Sequence, residues 1–96
     1  MLHLSTVEDV FELSGRGSVV VVPGIPRHGE HEWKISVGEP VTLEAPDGTI
    51  SHTIIAGFEM VSPPHRDFIP ILLGSGTTKQ MAPIGTKLWV SEAAAL

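Results

Sequence analysis

The stretch "VEDVFELSGRGSVVVV", residues 7–22, carries most of what the chain says about its fold. Val7, Val10, Phe11 and Leu13 fit an extended segment, and four consecutive valines follow Ser14-Gly15-Arg16-Gly17. β-branched residues suit the pleated, half-buried surface of a sheet, and glycine supplies turn conformations that other residues resist. The stretch therefore reads as two strands, 7–14 and 17–22, joined by a turn. A Ser-Thr-x-x-Asp pattern at residues 5–9 also fits a helix cap, but no helical run of useful length follows it.

The same pattern recurs along the chain. Ten glycines and eight prolines punctuate short runs rich in Val, Ile, Leu and Thr, the mark of many short strands joined by turns. Further strands are expected at 40–45, 49–57, 67–73 and 86–90. Asp47-Gly48, between "PVTLE" and "TISHTII", favours a tight hairpin turn. The tail "SEAAAL", residues 91–96, has room for one frayed helical turn. Residues 23–39, "PGIPRHGEHEWKISVGE", are polar and predict a long protruding loop. The expected fold is a single all-β domain over 1–96, a small closed or partly open antiparallel barrel, which removes most exposed sheet edges.

Composition narrows the function. The chain has 96 residues, of which 42% are apolar and 18% charged, a globular composition. At this length about 65% of the unfolded chain's surface can be buried, enough for one modest core. Six Lys/Arg stand against eleven Asp/Glu, a net charge of −5. That balance disfavours a grip on long duplex nucleic acid, which needs a basic footprint. Cysteine is absent, which removes disulfides and thiolate metal sites. No apolar window approaches a membrane span. Glu8 and Asp9 precede any apolar run long enough for a secretion signal, so a cytoplasmic setting with no membrane partner is expected.

In order, five segments resemble the second, β-barrel domain of elongation factor Tu and related translational GTPases. "VEDVFELSGRGSVVV" matches an acidic pair, Val-Phe, then Ser-Gly-Arg-Gly-Thr-Val-Val. "ISVGEPVTL" (35–43) is similar to a Val-Gly-Glu-x-Val strand, and "IAGFEMV" (55–61) to Gly-Val-Glu-Met-Phe. "IPILLGSG" (69–76) and "APIGTKLWV" (82–90) resemble the last two segments. The resemblance covers about 7–90 and implies a compact barrel of about six strands. Its implied role is to hold the aminoacylated 3′ end of tRNA, with Arg16 and Glu59 at the matching positions. The departures are clear. No Gly-x-x-x-x-Gly-Lys-Ser/Thr loop occurs, so no GTP binding is expected. A family asparagine falls near Phe68, and Pro70 replaces a small residue.

The candidate ligand-binding set is Gly15, Arg16, Gly17, Glu59 and Phe68. Arg16 has two readings. It is a turn filler between glycines, or a guanidinium displayed for a phosphate, a carboxylate or a stacked base. Glu59 is an exposed strand-end carboxylate or an acceptor for a ribose hydroxyl or an amine. Trp33 is the candidate protein contact, since tryptophan is favoured at interfaces. His28 and His31, in "HGEH", lack the three or four ligands a zinc site needs, so no metal or other cofactor is expected. No Gly-x-Ser-x-Gly elbow marks a nucleophile, and no catalytic residue is assigned. The expected function is a non-enzymatic module binding an RNA 3′ end or a translation-related protein. The alternative is an acidic, immunity-like inhibitor or adaptor that reuses the barrel as scaffold.

Overall fold

The computed structural model describes residues 1–13, 18–59 and 66–95. Seven strands form one antiparallel sheet: β1 (Leu2–Thr6), β2 (Asp9–Leu13), β3 (Ser18–Pro26), β4 (Pro40–Glu44), β5 (Ile50–Phe58), β6 (Phe68–Leu73) and β7 (Lys87–Val90). Their order is β1-β7-β4-β5-β6-β3-β2. The only helical element among the described residues is a 3₁₀ turn, Glu92–Ala94. The sheet curls into a small, partly open barrel, as the sequence predicts.

Residues 7 and 8 make the curl possible. Val7 exchanges backbone hydrogen bonds with the β7 side, donating to the Thr86 carbonyl and accepting from Gly85, each at 2.8 Å. One residue later, Glu8 donates to the Val22 carbonyl of β3 at 2.8 Å. A single stretch of chain thus pairs first with one end of the sheet and then with the other. The strand expected at 7–14 is corrected here. Residues 7–8 are a corner, and β1 before them is a strand that the sequence reading missed.

Alternation fills the interior. Val41 and Leu43 of β4, Ile71 and Leu73 of β6, and Leu88 and Val90 of β7 are buried, as are Val19 and Val21 of β3. Each large aliphatic side chain so removed from water contributes about 1.5–3 kcal/mol. The valine run also serves the outer surface. Val20 pairs with Phe11 and Leu72 on the opposite face and is still only 6% exposed. Trp89, next to two core residues, likewise faces outward. Its indole nitrogen donates to Glu44 Oε1 at 2.9 Å, and its ring lies 5.4 Å from that of His3.

The loop expected at 23–39 starts later than the sequence indicates, because β3 runs through Pro23 to Pro26. The pairing of β3 with β6 shifts between Val21 and Ile25. At this bulge the Val22–Pro23 bond is cis and Gly24 has φ +73°. A Cβ at Gly24 would collide with the Ile69 carbonyl oxygen, so glycine is required by conformation and by space.

Candidate binding groove at the barrel mouth

Beyond the bulge, Ile25 pairs with Ile69 and Pro26 with Phe68. Arg27 then leaves the sheet, its backbone N–H bonded to the Asp67 carbonyl at 2.9 Å. The chain crosses the end of the barrel and is pinned again. Trp33 forms an isolated antiparallel bridge with Ala95, and Lys34 N–H donates to the Ala94 carbonyl at 2.6 Å. The tail is itself a fixed pedestal: the Ser91 hydroxyl caps the 3₁₀ turn by accepting from Ala93 N–H, and Ala94 is buried. Gly38 and Glu39 finish the crossing with backbone bonds to Ile55 at 2.7 and 2.9 Å.

The crossing leaves a groove at the mouth. Its apolar part, about 230 Å³, is lined by Ile25, Trp33, Ile35, Phe58 and Ile69. Ile35, Phe58 and Ile69 are half-buried and pack on the core. An adjoining polar part shares Ile25, Trp33 and Ile69 and adds Arg27, Glu30, His31 and Glu32. The His31 ring lies 5.1 Å from the Trp33 ring, tilted by 53°. Apolar pockets with a few converging polar groups are the usual form of a ligand site, and barrel mouths are a usual place for one.

The charges around the groove are unevenly satisfied. Arg27 Nε donates to the Phe68 carbonyl at 3.4 Å. His28 Nε2 lies 3.8 Å from Asp67 Oδ1, with both side chains more than 70% exposed, so this pair adds little stability. The carboxylates of Glu30 and Glu32 make no ion pair or side-chain hydrogen bond among the described residues.

Of the residues singled out by sequence, Trp33, Glu59 and Phe68 are described. Glu59 directly follows β5 and donates its backbone N–H to the Pro70 carbonyl at 3.0 Å. Phe68 opens β6 and is half-buried. Their chain neighbours Phe58 and Ile69 line the groove, but Glu59 and Phe68 themselves are not among its lining residues. Trp33 forms its wall, and it is half-buried against the core rather than free in a protruding loop. Gly15, Arg16 and Gly17 lie outside the described residues. The strand ends beside them, Leu13 and Ser18, pair at the opposite end of β3 from Pro26, a strand length of about 25 Å.

Sequence reasoning missed Arg27, Ile25 and Ile35. The available signal was a pair of isoleucines bracketing a polar loop. His28 and His31 stand in that loop, and among the described residues no three His, Asp or Glu side chains gather as a metal site. No described helix is long and apolar enough to cross a membrane. Comparison of the chain with protein families, with curated proteins and with solved structures returns no match.

Proposed function

We propose that this protein is a non-enzymatic binding module, similar in role to the second barrel of elongation factor Tu, acting in the cytoplasm. The observation that carries the reading is the mouth groove, where an apolar floor of Ile25, Ile35, Phe58 and Ile69 meets the Trp33 ring. Such a surface binds without chemistry: it offers contact area, one aromatic wall and a polar rim. Its ligand is an RNA 3′ end or a protein of the translation machinery. The all-β, partly open barrel suits the resemblance that the segments between residues 7 and 90 carry.

A second reading is favoured by charge. The net −5 and the rim carboxylates Glu30 and Glu32, which have no partner among the described residues, suit an acidic inhibitor or adaptor that reuses the barrel as scaffold.

The test is capture from native extract on immobilised protein, before and after nuclease treatment, with Trp33→Ala beside the unmutated chain. Selective retention that Trp33→Ala abolishes supports a binding module at the mouth. Loss of that retention with nuclease indicates an RNA ligand. Equal retention by both proteins removes the groove from the function.

A further inference from the structure

We infer that the mouth groove takes a basic polypeptide segment, which seats one large apolar side chain in the compartment walled by Trp33. The inference rests on the binding-module reading and names the occupant of that site.

Size comes first. The apolar compartment is about 230 Å³, and the adjoining polar part, about 440 Å³, leaves room for the chain on either side of whatever fills it. The compartment matches a single side chain entering from a longer chain. Chemistry comes second. All five lining side chains, Ile25, Trp33, Ile35, Phe58 and Ile69, are apolar apart from the indole N–H. A nucleobase gains its specificity from hydrogen bonds along its edges, and these walls supply almost none. An aliphatic or phenyl group needs none.

Charge decides the rest. The polar part beside the compartment presents two carboxylates, Glu30 and Glu32, without partners among the described residues, against one guanidinium, Arg27, so its charge is negative on balance. A phosphate chain leaving the groove meets two carboxylates, whereas a lysine or arginine next to the anchoring side chain meets complementary charge. A second copy of this chain is a poor occupant, because at net −5 it brings more negative charge to a negative rim.

The experiment is calorimetric titration with capped hexapeptides whose two central residues are Leu, Ile, Phe or Trp and whose flanks are lysine. Glutamate-flanked versions, a lysine-flanked Gly-Ser control and a short single-stranded RNA ending in CCA are titrated in parallel. At least one lysine-flanked apolar peptide is expected to saturate at millimolar concentration or below. The glutamate flanks and the Gly-Ser centre are each expected to weaken binding at least about tenfold, a separation of about 1.4 kcal/mol. The exposed double variant Glu30→Lys, Glu32→Lys changes surface charge only and is expected to lose the lysine peptides by a similar factor. Trp33→Phe, which keeps an aromatic wall, is expected to retain them.

Absence of saturation by every lysine-flanked peptide overturns the inference, as does indifference to flank charge. If the RNA binds and Trp33→Ala abolishes it while the peptides do not bind, this inference falls and the binding-module reading stands. If extract capture and every probe fail, both fall.

Discussion

The buried Ser5 hydroxyl donates to the Gly24 carbonyl at 2.6 Å. This bond ties β1, at one end of the sheet, to the bulge of β3 near the other, and so holds the curl that shapes the mouth. Ser5→Ala leaves a buried carbonyl without its partner and is expected to cost about 1–3 kcal/mol. Gly24→Ala adds a Cβ against the Ile69 carbonyl and a strained left-handed residue, with an expected loss of about 3 kcal/mol or more, the sum of overpacking and backbone strain. Chemical denaturation of the two variants checks both values. A Gly24→Ala protein as stable as the parent contradicts the bulge.

The Asp47 turn predicts a pH effect. Asp47 Oδ1 accepts the Thr49 backbone N–H at 2.9 Å. That bond, followed by one from the Thr49 side chain, lowers the carboxyl pKa below its ordinary value. The folded pKa lies below the unfolded one, so the carboxylate's contribution is present above about pH 4 and is lost as pH falls through the folded value. Asp47→Asn removes the titration and keeps a turn former. Thermal melts at neutral and acid pH are expected to show the parent losing more on acidification than Asp47→Asn. Equal losses count against the turn bond.

The loop histidines are expected to have no metal role. His28→Ala is expected to change stability by no more than about 0.5 kcal/mol, as for an exposed side chain. His31→Ala gives up a ring contact with Trp33 and is expected to lose up to about 1 kcal/mol. Added zinc is expected to leave the melting temperature of the parent unchanged. A zinc-dependent rise that a protein carrying both His28→Ala and His31→Ala lacks reverses this expectation.

Arg16, Glu59 and Trp33 test which end of the barrel meets the ligand. An RNA end held by Arg16 loses about 1.5–3 kcal/mol of binding on Arg16→Ala, the scale of a hydrogen bond to a charged group. Its affinity then falls with salt at a logarithmic slope of about −0.7 per phosphate contact. A protein held at the mouth loses more from Trp33→Ala, with Arg16→Ala within about 0.5 kcal/mol. The tRNA-end reading fails if Arg16→Ala and Glu59→Ala leave binding intact while Trp33→Ala abolishes it.

The sequence by itself determined the strands whose signals are local. Alternating aliphatics set β4, β6 and β7, and Asp47-Gly48 set the β4–β5 hairpin, where Gly48 adopts φ +91°. These follow from side-chain period and turn conformation, which neighbouring residues decide. Only the tertiary structure settled β1, the corner at Val7–Glu8, the continuation of β3 through Pro23 and the seating of Trp33 on Ala95. "VVVVPGIP" reads as a strand ending at proline, because proline removes a ladder donor. The strand continues because Ile25 finds Ile69, more than forty residues away in the chain. Trp33 looks exposed among charged neighbours, yet it packs because the tail brings a backbone partner to it. Each of these depends on what lies across the sheet, and local propensity holds no record of a partner so distant in sequence.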